Sequence, residues 1–151
     1  MIDPELFKSA VVRQAYEYWL GKCSGDRLPR RADVKPAEMR GMLPYVFLVD
    51  VTHAPLVFRY RLVGSRITDW AEREYTGRAV DERDYGPHWQ RVFDMYASVV
   101  ATRGPRRDIY TAPWVSREFY HYERVVAPLS NDGTIIDMLF GALHTLPPEQ
   151  V

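Results

Sequence analysis

The amino-acid sequence predicts an α+β fold in which helices separate two groups of strands. Between Phe58 and Gly64, large apolar residues alternate with arginines at a period of two, which is typical of a strand with one buried face. The strand ends at a glycine, and the residues that follow have helical spacing. The segment that starts at Trp89 matches an amphipathic helix best, and three strand-like segments follow it. Strands therefore lie on both sides of a helical middle.

Length and charge exclude several classes of protein. A chain of 151 residues fits one domain with a core large enough to need no disulfide or metal. Because 20 basic and 20 acidic residues cancel, we expect no binding to nucleic acid. Apolar runs are too short to span a bilayer, and no secretory signal is evident, so we expect a cytoplasmic protein without a membrane partner. A single cysteine, Cys23, excludes an internal disulfide.

The N-terminal region is predicted to be helical and then irregular. Asp3 and Pro4 predict a helix start, because an aspartate caps well and proline suits the first turn. One face of this helix carries apolar residues at helical spacing, namely Phe7, Val11, Ala15 and Tyr18. Residues 25–33 are polar and basic, which predicts a loop, and a short helix should begin at Pro36.

The middle of the chain is predicted to hold a hairpin and the main helices. Tyr45 to Val51 forms the first strand, which Ala54-Pro55 turns back into the Phe58 strand. Ser65 is expected to cap the next helix. The longest internal helix begins at Gly86-Pro87, and Gly104-Pro105 ends it.

Three strands complete the predicted fold. They are Arg107 to Val115, Phe119 to Leu129, and Thr134 to Leu146. The joint at residues 116–118 is a turn, and residues 131–133 carry the Asp-Gly signal of a tight hairpin.

Several segments, taken in order, resemble the PAS 5 family, a family of stand-alone bacterial PAS-like proteins common in alphaproteobacteria. The segments are Leu28 to Asp33, Met42 to Leu48, Phe58 to Gly64, Tyr75 to Arg78, Ala127 to Ser130, and Asp132-Gly133. The resemblance implies a five-stranded antiparallel sheet in spatial order 2-1-5-4-3, with the middle helices on one face. It divides the chain into an N-terminal helical cap and loop (1–44), a PAS-like core (45–146) and a tail (147–151), within a single domain.

The fourth and fifth strands are predicted to be covered on both faces, because both of their alternating residue sets are apolar or aromatic. The middle helices cover one face. The N-terminal helix, from its own or a partner subunit, is expected to cover the other. PAS modules often dimerise in this way, so the resemblance implies a homodimer. The candidate interface residues are Phe7, Val11, Ala15 and Tyr18.

PAS proteins hold small ligands between the sheet and the helices, so the resemblance implies a candidate pocket there. The residues expected to line it are apolar or aromatic: Phe58, Tyr60, Leu62, Ile67, Trp70, Trp89, Phe93, Tyr96, Tyr110 and Trp114. Plain core packing is the alternative for each of them. Several tyrosines favour a pocket, because each buried hydroxyl needs a hydrogen-bond partner. The sequence leaves open whether a ligand binds, and we expect any ligand to be small and apolar or aromatic.

Particular cofactors are not expected. A flavin photoadduct in a PAS domain needs a cysteine in the helical middle, whereas Cys23 lies at the end of the first helix. A haem PAS domain commonly takes its axial histidine from the long helix, where the sequence has only His88 at the first turn. No histidine or carboxylate spacing is typical of a metal site.

The predicted function is that of a non-enzymatic sensor or protein-interaction module in bacterial signalling, acting through an unidentified signalling protein. No nucleophile elbow or phosphate-binding glycine loop occurs in the sequence. The alternative is a small cone-shaped α+β enzyme, isomerase-like or hydrolase-like. It would use His121 or His144 with Asp137 or Glu123 as a general-base dyad.

Overall fold

A computed structural model describes residues 1–115 and 120–151. Its strands are β1 (Val46–Thr52), β2 (Val57–Val63), β3 (Arg106–Thr111), β4 (His121–Leu129) and β5 (Met138–Leu146). Its α-helices are α1 (Ala10–Lys22), α2 (Ser65–Ala71), α3 (Glu82–Tyr85) and α4 (Trp89–Thr102). Short 3-10 turns lie at Pro4–Leu6, Arg31–Asp33, Pro36–Glu38, Leu43–Tyr45, Gly86–His88 and Pro148–Gln150. Within the described ranges, no helix combines the length and the apolar character that a bilayer crossing requires.

The five strands form one antiparallel sheet in the order β2-β1-β5-β4-β3, which confirms the predicted fold. β5 joins the two halves of the sheet, because it pairs with β1 on one side and with β4 on the other. The helical middle of the chain lies between β2 and β3 in sequence.

The sheet carries a core on each face, as the two-sided apolar pattern of β4 and β5 predicts. We call the first the α1-side core; its buried members include Val12, Trp19, Val46, Val125 and Phe140. We call the second the cavity-side core; its buried members include Phe58, Tyr60, Tyr96, Val126 and Leu139. The N-terminal helix of the same chain therefore covers the face opposite the other helices.

The first helix begins later than the sequence predicts. Asp3 caps only a 3-10 turn, since its side chain accepts a hydrogen bond from the amide of Glu5. Ser9 caps α1 by accepting a hydrogen bond from the amide of Val12, at 3.3 Å. The face that α1 buries is made by four residues: Val12, Ala15, Tyr16 and Trp19. This face is rotated from the predicted stripe and shares only Ala15 with it.

Two further local predictions were wrong. α2 has Gly64 at its N-cap, and Ser65 is already helical. The Asp-Gly segment forms a longer loop, so that β5 begins at Met138. The side chain of Asp132 holds this loop by accepting hydrogen bonds from the amides of Thr134 and Ile135, at 2.8 Å each. In this loop, these hydrogen bonds to the Asp132 side chain take the place of backbone hydrogen bonds between β4 and β5. The joint at residues 116–118 and the start of the fourth strand at residue 119 lie outside the described residues.

β1 and β2 change register between Leu48 and Val49. Leu48 lies opposite Leu62, but Val49 lies opposite Tyr60, so Arg61 is an extra residue in β2. Such a bulge bends the strand and changes which side chains share a face. Tyr60 consequently belongs to the cavity-side core, whereas Leu62 packs against the α1-side core.

Replacing Phe58 with alanine should lower the free energy of unfolding by about 3–5 kcal/mol, because a large buried ring leaves a cavity behind. Phe58 is 1% exposed, and its ring centroid lies 5.1 Å from that of Phe93 and 5.6 Å from that of Tyr96. The neighbouring substitution Arg59→Ala, on the exposed face, should cost less than about 0.5 kcal/mol. Urea unfolding measures both variants, and equal small losses would contradict this packing.

Candidate functional site

A cavity of about 70 Å³ lies between the sheet and the helices α2, α3 and α4. The sheet lines it with Phe47, Tyr60, Val63, Tyr110, Tyr122, Arg124 and Leu143. The helices and loops line it with Ile67, Trp70, Ala71, Tyr75, Tyr85, Val92, Tyr96, Ala112, Trp114 and Val115. An engineered apolar cavity of about 150 Å³ holds benzene. The cavity in this protein therefore suits a small molecule or a few water molecules.

Three tyrosines that line this cavity join their hydroxyls by hydrogen bonds. Tyr60, on β2, lies between Tyr85 from α3 and Tyr96 from α4, with oxygen–oxygen distances of 2.7 and 2.8 Å. We call these three residues the tyrosine triad. Burial raises the pKa of all three hydroxyls well above the ordinary value for tyrosine, so they are neutral and each keeps its proton.

The triad has one more proton than its internal hydrogen bonds use. Three hydroxyls supply three O–H donors, whereas two hydrogen bonds join them. Whichever way the two bonds point, one hydroxyl proton is left over. That proton is available to a water molecule or a ligand in the cavity, because a buried donor needs an acceptor.

Aromatic rings continue the wall beyond the triad. Tyr75 stacks on Tyr85 with centroids 5.7 Å apart, and Tyr110 stacks on Tyr122 at 5.5 Å. Trp114 meets Tyr85 edge-on at 5.1 Å. Such stacked and edge-to-face contacts hold the rings in defined orientations. Much of the wall is therefore built of aromatic rings that hold one another in place.

Arg124 is the charged residue of the cavity wall. β3 and β4 pair Arg124 directly opposite Asp108, and the guanidinium donates from Nε and Nη2 to the two carboxylate oxygens at 3.0 and 2.7 Å. Its Cζ atom lies 4.4 Å from the centroid of the Tyr110 ring, which adds a cation–π contact. The cavity therefore contains a fixed guanidinium beside neutral phenols.

Glu123, the residue that precedes Arg124 on β4, points to the opposite face of the sheet and is fully buried. Its carboxylate accepts hydrogen bonds from the amides of Lys8 and Ser9 at 2.8 and 2.7 Å, and from Nε of Arg107 at 2.8 Å. These contacts tie the start of α1 to the sheet. Adjacent residues of β4 thus reach the cavity on one face and the N-terminal helix on the other.

Most of the pocket residues predicted from sequence lie around this cavity. Those that line it are Tyr60, Ile67, Trp70, Tyr96, Tyr110 and Trp114. Phe58, Trp89 and Phe93 belong to the same core but pack on one another beside the cavity, with Trp89 and Phe93 centroids 5.7 Å apart. Leu62 differs from the prediction, because the β2 bulge turns it to the α1-side core.

Sequence reasoning missed four lining residues that carry polar groups: Tyr75, Tyr85, Tyr122 and Arg124. The alternation of β4 places Arg124 on the same face as Tyr122, so the period-two pattern could have identified it. Tyr85 lies in the four-residue helix α3, which is too short to give a helical pattern. No signal in the sequence marks its meeting with Tyr60.

The candidate interface residues lie on or before α1. Ala15 is fully buried against the chain's own sheet, so it contributes to the fold of the protomer. Phe7, Val11 and Tyr18 are partly buried and pack around the same core. The hydroxyl of Tyr18 also donates to a carboxylate oxygen of Glu38 at 2.8 Å. A dimer contact through this surface stays a prediction.

The residues around the cavity do not fit a flavin photoadduct or a bulky cofactor. Cys23, the cysteine of the chain, lies at the C-cap of α1 and packs against the α1-side core. The cavity volume of about 70 Å³ is far below the roughly 300–1,000 Å³ of typical cofactor and drug sites. Within residues 1–115 and 120–151, no cluster of three or more metal-ligating side chains occurs.

The enzyme alternative depends on a histidine–carboxylate dyad. Glu123 is engaged by Arg107 and two backbone amides, and Nδ1 of His144 lies 2.8 Å from the carbonyl oxygen of Thr145. The sheet order and the helices between β2 and β3 differ from the cone-shaped fold in which that dyad was considered. The cone-shaped fold that the enzyme alternative requires is therefore not the fold of this protein.

Solved sensory domains resemble this chain at low sequence identity. The LOV protein of Rhodobacter sphaeroides has a TM-score of 0.51 and 10% identity, covering 69% of this chain and 60% of that chain. A sensory box sensor histidine kinase from Vibrio cholerae has a TM-score of 0.51 and 10% identity, covering 74% and 86%. A light-oxygen-voltage domain studied with a flavin analogue has a TM-score of 0.52 and 10% identity, covering 75% and 87%. This chain thus spans 60% of the length of the Rhodobacter LOV chain.

These likenesses, together with the sheet order, define the fold class as PAS/LOV-like. The PAS 5 family, described as a PAS domain, matches residues 7–144. The chain therefore belongs to the PAS domain family, whose members are typically sensory modules rather than enzymes. Among curated proteins, none matches this sequence significantly.

Proposed function

We propose that this protein is a sensor or protein-interaction module of bacterial signalling that binds a small molecule in the cavity beside the tyrosine triad. The surplus hydroxyl proton of the triad is the observation that supports this proposal most strongly. A purely structural core would satisfy its buried donors internally, whereas this one leaves a donor for an occupant of the cavity. The aromatic walls supply an apolar contact surface for that occupant.

The proposed signal reaches the surface through β4. Arg124 and Tyr122 line the cavity, while Glu123 between them holds the amides at the start of α1. A ligand that displaces either cavity residue would move the same strand that anchors the N-terminal helix. We expect a signalling protein to recognise the resulting position of α1, because PAS domains often act through protein contacts.

Ligand binding should stabilise the fold by about 2.7 kcal/mol when the ligand is at a hundred times its Kd. A thermal-shift screen of small aromatic and apolar compounds would detect this gain. The substitutions Tyr60→Ala and Tyr110→Ala should reduce the ligand-induced shift, because they remove a triad hydroxyl and a stacked wall. Arg59→Ala is the control, since Arg59 is exposed and does not line the cavity.

If no compound changes the melting temperature, the ligand-binding part of the proposal fails and a protein-interaction module remains. Native mass spectrometry beside denaturing mass spectrometry gives an independent measurement on the purified protein. A mass difference between the two spectra would report a retained ligand. The same native spectrum counts subunits and so tests the predicted homodimer.

A further inference from the structure

The cavity wall presents hydrogen-bond donors that have no protein acceptor. Arg124 has a side chain only 6% exposed, and it uses Nε and Nη2 for Asp108. A guanidinium has five N–H donors, two of them on Nη1. Within the described parts of the chain, no residue accepts a hydrogen bond from Nη1. Nη1 is not one of the buried side-chain atoms that lack a partner, so it is accessible to water or to an occupant of the cavity, either of which can supply the acceptor.

The second donor comes from the tyrosine triad, one ring of which lies beside the guanidinium. The Cζ atom of Arg124 is 5.7 Å from the centroid of the Tyr96 ring, and Tyr96 belongs to the tyrosine triad with its surplus proton. Arg124 and all three triad residues line the same cavity. One small molecule can therefore contact the guanidinium and a phenol hydroxyl together.

The charges favour an anionic acceptor over a neutral one. The side chain of Asp108 is 35% exposed, so water shares in solvating its carboxylate, whereas Arg124 is buried. Because water screens the Asp108 carboxylate, this carboxylate neutralises the positive charge of Arg124 incompletely inside the cavity, where the local dielectric constant is low. Hydrogen bonds from an ionised donor to a carboxylate are about twice as strong as neutral ones.

We propose that the cavity takes a small organic monocarboxylate. Its carboxylate accepts hydrogen bonds from Nη1 of Arg124 and from the surplus triad hydroxyl, and its short apolar body packs against the aromatic wall. The cavity volume of about 70 Å³ limits that body to a short chain. This inference rests on the proposed function, since it names the class of ligand for the same cavity.

Acetate and acetamide test the inference as a matched pair, because they share one methyl group, are small enough for a cavity of about 70 Å³, and differ in the charge of the head group. Each is titrated against the whole chain at neutral pH, with the melting temperature as the readout. Acetate at a hundred times its Kd should raise the melting temperature by about 5–10 °C. Acetamide at the same concentration should raise it by a much smaller amount.

Two variants assign the effect to Arg124. Arg124→Gln should weaken acetate binding roughly tenfold or more, because it removes the charged donor. Asp108→Asn keeps the guanidinium and removes its competing carboxylate, so acetate binding should become tighter than in the parent protein. That gain cannot come from a loss of folding, and it keeps the test valid if Arg124→Gln fails to fold. Arg59→Gln, outside the cavity, should leave binding unchanged.

The outcomes separate this inference from the proposed function. Equal shifts with acetate and acetamide would leave a small-molecule site but overturn the carboxylate assignment. Weaker acetate binding in Asp108→Asn would also overturn it. If neither probe binds and the broader screen of neutral compounds also fails, the ligand-binding function and this inference fail together.

Discussion

Replacing Glu123 with alanine should destabilise the protein by about 3–5 kcal/mol, one of the largest effects of any single substitution. Breaking a buried ion pair by removing one partner leaves the other charge without compensation. Here Arg107, whose side chain is 17% exposed, loses its carboxylate. The amides of Lys8 and Ser9 lose their acceptor at the same time. The start of α1 then loses the hydrogen bonds that tie it to β4.

Two measurements test the role of Glu123. Urea unfolding gives the loss of free energy, and amide hydrogen exchange shows where the structure loosens. We expect α1 to exchange faster in the variant while β1 keeps its relative protection. The control is Glu17→Ala, which removes an exposed ion pair with Arg13 and should cost less than about 1 kcal/mol. Comparable losses of free energy for the Glu17 and Glu123 variants would show that the contacts of Glu123 do not stabilise the fold as we expect.

Gly64→Ala should cost about 3 kcal/mol or more, because the new methyl group has no room. A Cβ atom at Gly64 would lie 2.2 Å from the carbonyl oxygen of Pro44 and 2.7 Å from that of Leu43. These are backbone atoms of the 3-10 turn that leads into β1, so no side-chain rotation relieves the overlap. The amide of Gly64 also donates to the carbonyl oxygen of Val46 at 2.8 Å, which fixes the close approach.

Gly41→Ala is the matched control for this prediction. No atom lies within 4 Å of a Cβ built at Gly41, and its φ angle is outside the left-handed region. The same change should therefore be neutral or stabilise by about 0.4–1 kcal/mol through the unfolded chain. Thermal and urea unfolding of both variants give the comparison. A Gly64 variant as stable as the Gly41 variant would be incompatible with the described contact.

The sequence predicted the parts of the fold that depend on local periodicity. The alternation from Phe58 to Gly64 placed β2, and the helical spacing after Trp89 predicted α4, although Gly86–His88, the predicted start, forms a 3-10 turn before α4 begins at Trp89. The apolar residues on both faces of β4 and β5 predicted a two-sided core, which the α1-side and cavity-side cores confirm. These patterns are strong because burial of a whole face selects residue type at every second, or every third and fourth, position.

Contacts between distant segments decided the features that sequence reasoning missed. Asp3 caps its own turn, yet α1 begins only at Ala10, where Glu123 from β4 holds the preceding amides. The extra residue at Arg61 turns Leu62 away from the cavity, and a bulge leaves no local signal in an alternating strand.

The amino-acid sequence by itself determined the element order, the two-sided sheet and the aromatic character of the sheet face that α2, α3 and α4 cover. Only the tertiary structure decided which tyrosines meet and which charge faces the cavity. In the sequence, Tyr60 is 25 positions from Tyr85 and 36 positions from Tyr96. Arg124 on β4 meets Asp108 on the neighbouring strand β3. Hydrogen bonds require positions correct to a few tenths of an ångström, whereas periodicity specifies only a face, so the polar chemistry of the cavity emerges when the elements pack.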